Sequence, residues 1–174
     1  MKNFKYAVIS SIIIFMLTVV VHFVYDILNF DLIAIFFPTN ESIFQHMKMI
    51  YTSFFIYYLV LYIIRRRLKF NNIFLTNLIS VVITIVFFLV IYLPFRFRFG
   101  EVMIFTFILL FISILLGQYL SYSYLKKEDA KTINIFSLIV IAIIFIIFAY
   151  LTFNPIHNDM FWDPEHETYE KVTK

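Results

Sequence analysis

The chain has 174 residues, of which 63% are hydrophobic and only 14% charged. A water-soluble domain of that length cannot hide so much apolar surface, so most of this chain has lipid as its solvent. With no cysteine, disulfides and thiolate-bound metals are excluded.

Hydropathy predicts an all-α, polytopic membrane helix bundle with five transmembrane helices: Tyr6–Tyr25, Met49–Ile64, Ile73–Leu93, Val102–Tyr122 and Ile133–Phe153. Residues 1–153 would form this transmembrane domain and 154–174 an extracytoplasmic tail. The excess of Ile, Phe, Lys, Asn and Tyr looks like AT-rich coding and points to a bacterial plasma membrane.

The first span is too long for a secretory signal and is followed by no small-residue cleavage site, so it is expected to stay as a helix. Thr18, His22, Tyr25, Asp26 and Asn29 fall at i, i+4, i+7, i+8 and i+11, one helical stripe running from mid-membrane to the outer surface. Ionisable groups at membrane depth are costly, so the stripe predicts a polar interior or cavity. His22 and Asp26 are close enough on it for the carboxylate to orient the imidazole or for both to hold one cation.

Pro38 and Thr39 signal the start of the second helix, expected near Asn40 with Thr39 or Asn40 as N-cap. Its first turns are polar: Glu41, Gln45 and Lys48 form one row, Ser42 and His46 the next. An ordinary helix start accounts for Glu41 at the positive end of the dipole and for Lys48 snorkelling outward. His46 and Ser42 on a face turned toward the first helix ask for more.

Thr76, Ser80 and Thr84 on the third span, and Ser113, Gly117 and Ser121 on the fourth, are small-residue stripes suited to close packing or to a homodimer. Between these spans, Arg96 and Arg98 alternate with Phe95, Phe97 and Phe99 in an expected basic-aromatic outer loop that could grip lipid phosphate or an anionic headgroup. The inner halves of the first and fifth spans are almost unbroken Ile, Val and Phe, which speaks against a through-path; Gln118, Tyr119 and Tyr122 are the exception. After Phe153 the composition changes. Phe161 and Trp162 read as an interfacial anchor, Asp163-Pro164 as a turn, and His157, Asp159 and Asp163 as parts of a lid over the helix cluster.

Charge orients the bundle. With the N-terminus inside, nine Lys or Arg and two acids lie on the inner side, a balance of +7. Five basic and nine acidic residues lie outside, a balance of −4, together with all four histidines. The positive-inside rule therefore predicts N-in and C-out, with the potential metal ligands and general bases gathered at the outer face. The cluster from Arg65 to Lys69 is topogenic, and no nucleic-acid partner is expected; membrane lipid is.

The pattern Pro38-x-Asn40-Glu41-Ser42-x-x-Gln45-His46-x-Lys48, with Phe161-x-Asp163-Pro164 near the C-terminus, resembles a family of short multi-spanning bacterial membrane proteins of unknown function. That resemblance covers nearly the full length and implies that Asn40, Glu41, Ser42, His46 and Asp163 are signature positions. Ser42-x-x-x-His46 is also similar to an element of the seven-helix membrane hydrolases that include alkaline ceramidases and the adiponectin-receptor group. Those hold zinc with His and Asp near one membrane face. This chain departs from them in having five spans and no His-x-x-x-His in the last.

Two functions follow as expectations. One is a zinc-dependent membrane hydrolase with His22, Asp26 and His46 as metal ligands, Glu41 and Ser42 as catalytic residues, and Asn40, Gln45, Arg96 and Arg98 placing a lipid or amide substrate. The other is a non-enzymatic lipid- or peptide-binding or transport-associated accessory, in which the same residues form a buried polar network. No Gly-rich phosphate loop, Gly-x-Ser-x-Gly or His-Glu-x-x-His is present.

Overall fold

The computed structural model describes residues 2–172; Lys174 and the side chains of Lys2 and Arg66, all counted in the charge balance above, lie outside what is described. The described residues form six helices: α1 (Lys2–Leu28), α2 (Asp31–Phe36), α3 (Ile43–Leu68), α4 (Ile73–Phe99), α5 (Met103–Leu125) and α6 (Lys131–Phe153). All but α2 are long and apolar enough to cross a membrane.

The helix α3 is the axis of the bundle. It packs on α1, α2 and α4, and its Tyr51 hydroxyl donates to the Ile141 carbonyl of α6 at 3.1 Å. Over half of its spanning window is buried in protein, against about a third or less for the other four. Its weaker hydropathy follows from that: it is solvated by helices rather than by lipid and can carry polar residues that they satisfy.

The tightest crossing is between α4 and α5, where the two small-residue stripes meet each other within one chain. Thr76, Ser80, Thr84, Ser113 and Ser121 are all fully buried. A Cβ at Gly117 would stand 2.4 Å from Thr84 Oγ1 and 2.6 Å from the Ser80 carbonyl oxygen, so only glycine permits this approach. Both stripes are consumed in this crossing, and a second copy of the chain would have to use another face.

The helix start expected near Asn40 lies three residues later. Asn40 Oδ1 accepts the Ser42 N–H at 3.1 Å, folding residues 40–42 into a bend, and Ser42 Oγ accepts the Gln45 N–H at 3.3 Å as the N-cap of α3. At the far end, α4 runs on through Pro94, so Arg96 and Arg98 sit in its last turn rather than in a loop. Cations there complement the helix dipole.

Lys48, expected to snorkel outward, is instead completely buried. Its Nζ donates to the Ala34 carbonyl at 2.9 Å and to Thr152 Oγ1 at 2.8 Å. Ala34 lies near the C-terminus of α2, where carbonyls have no helical partner. Lys48 therefore caps the short helix and ties it to the end of α6.

Candidate functional site

Along α1 the residues Ala7, Ser11, Ile14, Thr18, Val21 and Tyr25, with Ser10 buried beside them, form a seam with the 3.5-residue period of helix packing. His22 stands one step off that seam, half-buried, and looks toward the start of α3. Glu41, in the bend before α3, and His46, in its first turn, meet it there.

Glu41 lies between the two rings. Its Oε1 is 3.4 Å from His22 Nε2 and its Oε2 is 3.4 Å from His46 Nε2. One ligand atom from each of the three residues lies within 4.8 Å of the others. The imidazoles are stacked with centroids 5.7 Å apart. His46 Nδ1 is 2.9 Å from the Ser42 carbonyl oxygen; because a carbonyl can only accept, Nδ1 carries the proton, which in the neutral ring leaves Nε2, on the Glu41 side, free as a ligand atom. Supporting contacts of this kind orient metal-binding histidines.

The group opens into a cavity of about 360 Å³ whose walls come from α1, α3, α4, α5 and the bend before α3. Phe15, Val19, Ile50, Phe88, Phe107 and Leu110 make it mostly apolar. Its polar groups are Thr18, Tyr92, Glu101 and Thr106 besides the three ligand candidates.

Of the residues expected to hold a metal, His22 and His46 come together and Asp26 does not join them. Asp26 is exposed, 100° around α1 from the buried Tyr25, and Glu41 takes the third position. Asn40, Ser42 and Gln45 are buried and absent from the described cavity wall. Asn40 and Ser42 shape the bend and cap α3, while Gln45 Nε2 donates to Thr152 Oγ1 at 3.4 Å on the opposite side of that helix. Arg96 reaches the wall indirectly, donating to the Tyr92 hydroxyl at 3.1 Å. Arg98 is exposed and lies over the Phe99 ring.

The model of the family of unknown function DUF6512 matches residues 1–170. The chain belongs to that family. No curated protein and no solved structure matches it.

In this DUF6512 chain no described residue of the tail is among those lining the cavity; the tail packs on the start of α3 and the bend before it. Phe161 is buried and stacks on Phe44 of α3 with centroids 4.3 Å apart, so it anchors to protein rather than to an interface. Asp163 is fully buried. Burial alone would raise its carboxyl, but the Glu41 N–H, the His166 ring and the N–H groups of Glu165 and His166 outweigh that and hold it below its ordinary range.

A second polar cluster, toward the opposite end of the bundle, was only partly visible in the sequence. Gln118 Nε2 donates to Ser80 Oγ at 2.7 Å and to the Tyr58 hydroxyl at 3.2 Å, and the Tyr6 and Tyr57 hydroxyls are 3.1 Å apart. Of the three α5 residues noted from the sequence, Gln118 is buried here, Tyr122 packs on Tyr6 with tilted rings, and Tyr119 is exposed. Tyrosine at membrane depth reads as an interfacial residue, so only the pairing of four helices reveals the network.

Proposed function

We propose that this chain is an integral protein of a bacterial plasma membrane, N-terminus inside, and that His22, Glu41 and His46 form a metal centre at its outer face. The function this supports best is metal-dependent hydrolysis of an ester or amide of a lipid. The observation that carries the reading is the pair of 3.4 Å contacts from Glu41 to two histidine Nε2 atoms. Zinc ligand atoms about 2.0–2.2 Å from the metal stand roughly 3.4 Å apart at the tetrahedral angle.

Two histidines and one glutamate are a known donor set for catalytic zinc, which keeps a fourth position for water. Bound there, the metal supplies a water acidic enough to ionise near neutral pH and an electrophile for a carbonyl oxygen. The chain's own part is to hold His46 in the correct tautomer and to shelter the centre in an apolar cavity. Tyr92, backed by Arg96, and Thr106 on the cavity wall are placed to orient a polar head. Ser42 serves as helix cap and backbone acceptor for His46, not as a nucleophile.

The test is metal content of the full-length protein, purified without chelators and also after zinc reconstitution, with His22→Ala, His46→Ala and Glu41→Gln alongside. Near-stoichiometric zinc, lost in all three variants, is expected. A wild type that stays metal-free after reconstitution overturns the reading, and the trio is then a carboxylate bridging two imidazoles to hold α1 against α3. Metal-loaded protein is then screened with fluorogenic acyl esters and acyl amides.

A further inference from the structure

Glu41 is the one candidate ligand that lies outside a helix. No helical hydrogen-bond ladder fixes its backbone, yet its carboxylate must stay between two imidazoles. The tail supplies what the helix does not. The Thr39 carbonyl accepts the Val172 N–H at 3.1 Å, and the Asn40 side chain donates to the Glu170 carbonyl at 2.9 Å. The Glu41 N–H donates to Asp163 Oδ2 at 3.2 Å, and the Phe44 N–H donates to the Met160 carbonyl at 2.9 Å. The bend is thus gripped on both sides of Glu41.

Asp163 is itself held rigidly. Its Oδ1 accepts the N–H groups of Glu165 and His166 at 2.8 and 3.3 Å, and its Oδ2 also meets His166 Nδ1 at 2.9 Å. The loop from 163 to 168 closes with the Asp163 N–H donating to the Thr168 carbonyl at 2.9 Å. Burying a carboxylate is expensive unless its oxygens are bonded. Phe161 stacked on Phe44 and the bonds to Thr39, Asn40 and Phe44 also dock the tail, so the charge is not its sole anchor. What the charge adds is a fixed acceptor for the Glu41 N–H.

We infer that Asp163 is a positioning residue for the His22–Glu41–His46 centre, and that the tail's clasp on residues 39–44 sets how tightly the centre holds a divalent metal. The inference rests on the metal reading above. Linkage makes it reciprocal: a metal held by Glu41 tightens the tail by the same free energy with which the docked tail favours the metal.

The experiment is zinc titration of the full-length protein in nanodiscs, with hydrogen exchange read at the tail amides. In wild type, zinc should slow exchange at Glu165, His166 and Thr168. Asp163→Asn keeps the side chain's size but loses the charge and one acceptor. It should weaken zinc binding about 10- to 100-fold, the usual cost of removing a group that orients a ligand. Phe161→Leu trims the ring stack on Phe44 and leaves the carboxylate bond, so it should lower the melting temperature while zinc affinity stays at the wild-type value.

Three results overturn the inference while leaving the metal centre standing. They are an Asp163→Asn protein that binds zinc as tightly as wild type, equal loss of affinity in Phe161→Leu, and tail exchange in wild type that zinc does not change. A wild type that binds no zinc is a different failure, of the centre itself, and the inference falls with it.

Discussion

Gly117→Ala adds a single methyl group where the structure leaves no room for one. The new carbon would stand 2.6 Å from the Ser80 carbonyl oxygen and 2.4 Å from Thr84 Oγ1. The carbonyl belongs to helix backbone and cannot turn away. The threonine hydroxyl could rotate, but it donates to the Ser80 carbonyl at 2.9 Å and lies 3.3 Å from that of Ser113. Overpacking a tight interior costs about 1–3 kcal/mol, and a sacrificed hydrogen bond adds about 0.5–1.5 kcal/mol. The better helix propensity of alanine returns up to about 1 kcal/mol. With the full offset the balance is a loss of about 0.5–3.5 kcal/mol. Equilibrium unfolding of the full-length protein in mixed micelles reads it directly. Unchanged or raised stability would mean that α4 and α5 do not approach as closely as described.

Glu41→Gln removes the charge between the two histidines while keeping its shape, and should weaken zinc binding by more than the roughly 10- to 100-fold expected for loss of a mere supporting contact; isothermal titration checks it. Lys48→Met preserves the apolar stem but strips the caps from the Ala34 carbonyl and Thr152, and should cost about 1–3 kcal/mol, seen as earlier unfolding and as faster exchange in α2. The tail should loosen in acid. The Asp163 carboxyl is held below its ordinary value of 3.8, so its contribution is complete above that value and is lost as pH falls through the depressed one. Proteolysis of the tail should therefore accelerate below about pH 4, and Asp163→Asn should flatten that dependence.

The five long helices were legible because each needs about twenty apolar residues in a row and little else. The short helix α2 was not, since six residues of Asp31–Phe36 leave no periodic trace. The site was half legible. Helical spacing put His22 with Asp26 and Ser42 with His46, but spacing within a helix cannot say which way the helix is turned. The packing seam through Thr18, Val21 and Tyr25 turns α1 so that His22 meets α3 and Asp26 faces outward. Glu41 was expected beside the histidines as a base. Its place between them depends on Ser42 ending the bend, and no propensity scale separates that cap from one at Asn40 two residues earlier.

The polar stretch from Asn40 to Lys48 resolves into two opposite faces of one helix start. His46, with Met49 and Ile50 following it, lines the cavity. Gln45 and Lys48, 100° and about 200° away around the helix, turn to Thr152 and the end of α2. One face thus carries the chemistry and the other the support. The tail completes the support by bonding to Thr39, Asn40, Glu41 and Phe44. A helix that crossed the membrane as a lone apolar rod could not do both. Because α3 is enclosed by its neighbours, its polar groups find protein partners at depth, and ionisable residues can be kept beside an apolar cavity without unbalancing the bundle. If that division of labour is correct, damage to the Lys48 face should cost stability and spare the intrinsic metal affinity of correctly folded protein, whereas damage to the His46 face should do the reverse.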